Sequence, residues 1–168
     1  MKIAGALVAI ALALALQTTL TRFAVAGTGA VDVVLVAVVY VALTTGPVGG
    51  MLSGTVAGLI QDTLSSGVVG IGGLAKTLVG FLVGAFGQQF IVTAALPRLV
   101  MFVAATALHA AVFMGLYVAL GLRVFSSPWT AIASQAAVNA VIGLVSFAVI
   151  ESLPGFIERR RGRRGGRR

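Results

Sequence analysis

The sequence predicts an all-α fold, a polytopic membrane bundle of six short, glycine-rich helices. Three observations carry that expectation. Of 168 residues, 59% are hydrophobic and only 10% are charged, against about 25% charged in soluble domains. Long uncharged stretches recur, bounded by charges or by Gly and Pro breakers. Cysteine is absent, with one His and four acidic residues, which removes a disulfide scaffold, a thiolate site, a Cys nucleophile and a multi-ligand metal centre. No metal or cofactor is expected.

Residues 3–21 lie uncharged between Lys2 and Arg22. A basic start and a long apolar run also fit a signal peptide. No clear small-x-small cleavage site precedes a soluble domain, so the stretch reads as the first membrane helix. Residues 33–61 are again uncharged and too long for one comfortable span. Gly46-Pro47 divides them, since Gly suits a helix end and Pro a first turn. A tight hairpin follows, with helix two over about residues 29–45 and helix three from Pro47 to about Thr63. At about 17 residues each, the two would sit nearly upright or thin the bilayer. One long kinked helix is the alternative.

Residues 67–73 are Gly-rich and read as a loop. Helix four covers about 74–90, and helix five about 96–120 from the Pro97 turn. Ser126-Ser127-Pro128 caps helix six, which runs to about Ile150. Leu153-Pro154-Gly155 ends it. The chain thus divides into one six-helix domain over 1–153 and a tail over 154–168. The Gly and Arg composition of that tail gives it no reason to fold, so it is expected to be disordered.

The net charge of +8 is local. Seven arginines crowd the tail: Arg159, Arg160, Arg161, Arg163, Arg164, Arg167 and Arg168. The rest of the chain sets Lys2, Arg22, Lys76, Arg98 and Arg123 against Asp32, Asp62, Glu151 and Glu158, leaving only +1. A nucleic-acid domain spreads its basic residues over a folded face, so no nucleic-acid partner is expected. Six spans put both termini on one side, and the positive-inside rule makes that side cytoplasmic. Lys2 and Arg98 fall inside, and Arg22, Asp32, Asp62, Lys76 and Arg123 outside. The tail then meets anionic lipid, at about 1 kcal/mol per arginine near the surface.

Membrane helices associate through close packing of small residues. Gly46, Gly50, Gly54 and Gly58 form one stripe on helix three, and Gly80 and Gly84 share that spacing on helix four. Ala133, Ala136, Ala140 and Gly143 line one face of helix six. Packing within the chain explains these stripes, and a homodimer through helix three is the sharper alternative. Gly70-Ile71-Gly72-Gly73 is no phosphate cradle, because no strand precedes it and Lys76 stands at the wrong spacing.

Polar groups inside a bilayer are functional candidates by default. His109 and Asn139 fall near mid-helix at similar depth and are expected to hydrogen-bond to each other, with a proton relay or a substrate contact as the alternative. Asp32 suits a helix N-terminus. Asp62 sits at a C-terminus, where a carboxylate wants a cation, and Lys76 is the nearest across the loop. An ion pair there would tie the loop down; a contact with a partner is the alternative. Ser65, Ser66, Ser126, Ser127 and Ser134 have no His base at their depth, so an enzyme is not expected.

One stretch of the chain carries a family resemblance. Val31-Asp32-Val33-Val34-Leu35 through Tyr40, Gly46-Pro47-Val48-Gly49-Gly50, Gly58-Leu59-Ile60-Gln61-Asp62, and the run from Val69-Gly70-Ile71-Gly72-Gly73 through Lys76, Gly80 and Gly84 resemble MreD, a rod-shape-determining membrane protein family. The match spans about residues 31–90; the last two helices and the tail match by hydropathy only. The resemblance implies a non-enzymatic scaffold of the bacterial cell-wall elongation complex in the inner membrane. Its implied partners are an MreC-like bitopic protein, a RodA-type polymerase and its transpeptidase. The residues carried over are Gly46, Pro47, Gly58, Gln61, Asp62, Gly70, Gly80 and Gly84, and the end holding Gln61, Asp62 and Lys76 is the candidate partner contact. The family is also similar in architecture to the substrate-binding subunits of energy-coupling-factor vitamin transporters, which supplies the alternative function. A channel is a third class, but no span shows a polar stripe to line a pore.

Overall fold

The computed structural model describes residues 3–23, 31–65, 67–90, 94–123, 125 and 128–165, with backbone alone for 3, 21–23 and 153–165. Among them are six helices and no strand: α1 (Ile3–Phe23), α2 (Val33–Thr45), α3 (Pro47–Leu64), α4 (Ile71–Gln89), α5 (Ala95–Ala119) and α6 (Trp129–Gly165). Helix α4, helix α5 and Trp129–Ser152 of α6 are long and apolar enough to cross a membrane, and Ala4–Leu20 and α2 are shorter apolar helices. The fold is that of a multi-pass membrane protein.

Helix α2 is the axis of the bundle. Nearly every residue from Val33 to Ala42 is buried, and α2 packs against all five other helices. A helix apolar all round belongs inside a protein. Leu35, Val36, Val39 and Tyr40 pack with Val79 and Val83 of α4, Phe102 of α5 and Phe147 of α6. On its other side, Val34 and Val38 pack with Ile10, Ala13 and Leu14 of α1 and Ala57 of α3. Among the described residues, helix α1 packs against α2 and α3.

The Gly46-Pro47 hairpin is present, and a single kinked helix is not. Gly46 has φ +85°, a conformation that costs glycine no Cβ clash. Its N–H closes α2 on the Ala42 carbonyl at 2.9 Å, and its carbonyl accepts the Gly50 N–H at 2.9 Å to open α3. Pro47 then takes the first helical position, where its missing N–H costs nothing.

Helices α3 and α4 approach backbone to backbone. A Cβ on Gly54 would lie 2.6 Å from the Lys76 carbonyl carbon, one on Gly58 2.6 Å from the Gly73 Cα, and one on Gly84 2.5 Å from the Gly46 carbonyl carbon. Gly50 and Gly80 abut through their backbones. Thr55 and Thr77 hydroxyls hydrogen-bond across the seam at 2.8 Å. The glycine stripe of α3 is therefore covered by α4, so a homodimer would have to use another face.

Three boundaries differ from expectation. Helix α2 begins at Val33 rather than near residue 29, because the Asp32 side chain caps it there. Helix α4 begins at Ile71 rather than near Leu74. Gly70, at φ +106°, reverses the chain just before it, and its carbonyl accepts the Leu74 N–H at 2.8 Å. Helix α6 runs on through Gly165, past the expected stop at Leu153-Pro154-Gly155. Proline removes one N–H, whereas Arg and Glu in the segment beyond are good helix formers. The tail arginines' side chains lie outside the described residues, as do Ser126 and Ser127 of the expected α6 cap.

Candidate functional site

Asp32, the last turn of α3, the first two turns of α4, the last turns of α5 and Gln135 of α6 gather at one end of the bundle. Two loop devices fix this end. Gln17 of α1 donates to the Val31 carbonyl at 3.0 Å and accepts the Val33 N–H at 2.8 Å, pinning the entry to α2. Asp32 is the N-cap of α2, as expected, accepting the Leu35 N–H at 2.9 Å. Such a cap satisfies one of the donors that every helix start leaves unpaired.

Asp32 also does something unexpected. Its other carboxylate oxygen lies 2.7 Å from Lys76 Nζ, with both side chains buried. Lys76 in turn contacts His109 Nε2 at 3.2 Å. An ammonium has no acceptor, so Nε2 must accept, and the imidazole carries its proton on Nδ1. The Asp32 N–H donates to Asn139 Oδ1 at 3.1 Å, and Asn139 Nδ2 donates to Thr106 Oγ1 at 3.2 Å. The Thr106 hydroxyl in turn donates a hydrogen bond to the Phe102 carbonyl at 2.9 Å. One continuous polar network thus ties α2, α4, α5 and α6 together inside an apolar bundle.

Two sequence expectations are corrected here. Lys76 does not pair with Asp62. It lies on the packed face of α4 with Gly72, Val79, Gly80 and Val83, so its ammonium points to α2 rather than across the loop. Asp62 instead accepts the N–H groups of Gly70 at 2.8 Å and Gly73 at 3.0 Å, both on Oδ2. The free N–H groups and positive dipole end of α4 replace the cation. His109 and Asn139 do not hydrogen-bond to each other either. His109 Nε2 meets Lys76, and Asn139 bonds to the Asp32 N–H and to Thr106 instead.

A cavity of about 290 Å³ opens at this end. Asp32, Asp62, Lys76 and Gln61 line one side, and His109, Phe113 and Tyr117 of α5 line another. The three α5 rings form a ladder, with centroids 5.8 Å apart for His109–Phe113 and 4.8 Å for Phe113–Tyr117. Gln61 Oε1 is shielded and has no hydrogen-bond partner among the described residues. The seven residues do not form a metal site: no group of three or more His, Cys, Asp or Glu among the described residues could hold an ion.

The candidate partner residues Gln61, Asp62 and Lys76 are thus brought together around one cavity, though in different roles. Gly70 helps to seat Asp62, while Gly46, Pro47, Gly50, Gly54, Gly58, Gly80 and Gly84 build the hairpin and the α3–α4 seam. Gln17, Thr106, Phe113 and Tyr117 were not singled out by the sequence. Gln17 is the lone amide in an apolar span, a signal that was there to be used; the α5 aromatics follow a four-residue spacing that core packing also produces.

At the opposite end, Arg98 makes a two-pronged ion pair with Glu151, at 2.6 and 3.0 Å, and lies 4.4 Å over the Phe147 ring.

A model of the rod shape-determining protein MreD matches residues 2–153. This chain belongs to the MreD family. The match takes in α1 to α5 and α6 as far as residue 153, including the last two helices, where the sequence resemblance rested on hydropathy alone. No curated protein and no solved structure matches the chain. In this MreD chain the Gln61-Asp62 helix end and the Gly-rich segment after it fold into a single capped corner beside the cavity. Membership makes the chain a rod shape-determining membrane protein.

Proposed function

We propose that this chain is a non-enzymatic scaffold of the bacterial cell-wall elongation complex. The observation that carries the reading is the match to a rod shape-determining family over nearly the whole bundle. The scaffold lies in the inner membrane with both termini cytoplasmic. It joins an MreC-like bitopic protein and, with it, a RodA-type polymerase and its transpeptidase. The rigid corner at Gln61 and Asp62, beside buried Lys76, is the surface offered to the MreC-like partner. Residues 154–168 form a basic tail on the inner leaflet, attracted to anionic lipid by its arginines. No observation favours the vitamin-uptake alternative.

Depletion in a rod-shaped host is the direct test. Rounded cells, restored by the wild-type chain, are expected; unchanged shape sinks the reading. Co-purification with the MreC-like chain is expected to survive loss of 154–168 and to weaken when Gln61 and Asp62 are both replaced. A reporter active only in the periplasm is expected to be silent at Arg168, and activity there overturns the orientation.

A further inference from the structure

The cavity between α3, α4 and α5 has a chemistry that packing alone does not require. Its lining carries two carboxylates, Asp32 and Asp62, against one ammonium, Lys76. Lys76 is committed to Asp32 and His109, so the lining is short of positive charge. Both bonds described for Asp62 fall on Oδ2, which leaves Oδ1 for another donor. Gln61 Oε1 is a shielded acceptor with no donor among the described residues, a state that burial makes costly. The facing wall, Phe113 and Tyr117, is aromatic, and ring faces attract cations. The volume of about 290 Å³ falls at the low end of small-molecule sites, roughly 300–1,000 Å³.

We infer that this cavity receives an organic cation, an alkylammonium or guanidinium group. Its N–H groups reach Asp62 Oδ1 and, after a rotation of the Gln61 side chain, Gln61 Oε1, while its alkyl portion lies on Phe113 and Tyr117. A bare metal ion would leave the aromatic wall unused. An anion would meet an excess of carboxylate with the one ammonium already taken. The group arrives either on a free amine or on a lysine or arginine of a neighbouring protein. The inference rests on the cavity alone and stands or falls separately from the scaffold reading.

The test is thermal unfolding of the detergent-solubilised full chain, titrated at constant ionic strength. The probes are n-butylammonium, Nα-acetyl-lysine methylamide and, as the anionic control, butyrate. Either cation is expected to raise the melting temperature saturably, and butyrate is not. Gln61→Leu is expected to leave the unliganded melting temperature unchanged or higher, because it removes an unpaired acceptor, while weakening the cation's apparent affinity about fivefold or more. Phe113→Leu is expected to weaken it similarly through loss of the ring face. Should Phe113→Leu not fold, Gln61→Leu still decides the matter. Tighter binding of the blocked lysine identifies a protein side chain as the natural occupant; equal or tighter binding of butylammonium identifies a free amine. No saturable shift with either cation, an equal shift with butyrate, or an undiminished response in Gln61→Leu overturns the inference.

Discussion

Lys76 Nζ stands 2.7 Å from Asp32 Oδ2, and the two side chains are only 4% and 7% exposed. The pair joins the second turn of α4 to the N-cap of α2 inside the bundle. A buried pair costs desolvation, but removing one partner strands the other charge, which costs about 3–5 kcal/mol. Lys76→Met is therefore expected to destabilise the detergent-solubilised protein by about that amount. Lys76→Met with Asp32→Asn is expected to regain most of the loss, since Asn keeps the cap without the charge. Unfolding curves for the single and double variants check this, and equal stability of Lys76→Met and wild type would remove the pair from the account.

The α3–α4 seam predicts a contrast between two glycines. Gly54 has the Lys76 carbonyl carbon 2.6 Å from where a Cβ would stand, whereas Gly115 has nothing within 4 Å. Gly54→Ala must push two backbones apart and is expected to cost about 1–3 kcal/mol or more. Gly115→Ala is expected to be neutral or to stabilise by up to about 1 kcal/mol, the ordinary gain from replacing a mid-helix glycine. Melting temperatures of the two variants, measured side by side, distinguish a packing stripe from mere glycine content.

Asn139 has no exposed surface and its carboxamide serves the Asp32 N–H and Thr106 together. Asn139→Leu leaves that buried N–H without an acceptor and is expected to cost about 1–3 kcal/mol. Thr106→Val takes the acceptor from Asn139 Nδ2 and a second donor from the Phe102 carbonyl, which keeps its helical N–H, and is expected to cost less. A reversed order in unfolding free energy would mean that the Asp32 N–H finds another partner.

Asp62 holds its corner by geometry as well as charge. Asp62→Asn retains an acceptor for Gly70 and Gly73 and is expected to keep the loop in place. Asp62→Leu orphans both N–H groups, and faster proteolysis between Ser65 and Gly70 is expected from that variant alone. Equal cleavage of the two would show that the carboxylate charge, not the acceptor, holds the loop.

The layout of helices was legible because its signals are local. Uncharged length, Gly46-Pro47 and Pro128 mark where the chain turns, and each lies within a residue or two of an observed boundary. The α6 end was not legible, because Pro154 reads as a stop while the residues beyond it carry strong helix formers. The polar partnerships were read less well. Asp62 was assigned Lys76 because the loop between them is short, yet the facing direction of a side chain on a helix decides its partner. The Gly72, Lys76, Gly80, Gly84 spacing already puts Lys76 on the packed side. Asp32 as its partner depends on how α2 docks between α4 and α5, which no local pattern encodes. The His109–Asn139 pairing rested on depth, and depth alone does not order four polar groups that meet in one network.

The burial of α2 bears on how the chain enters a membrane. Its 13 residues span about 20 Å at 1.5 Å each, well short of a hydrocarbon layer of about 30 Å. Segments emerge from the ribosome in order, so α2 exists before the α4, α5 and α6 surfaces that enclose it. During that interval its stable company is α1 and α3, across the Gly46-Pro47 turn. Biogenesis of this protein is thus expected to commit a hairpin first and to wrap it later. Its assembly intermediate would carry an unpaired Asp32 at the membrane until Lys76 has been synthesised.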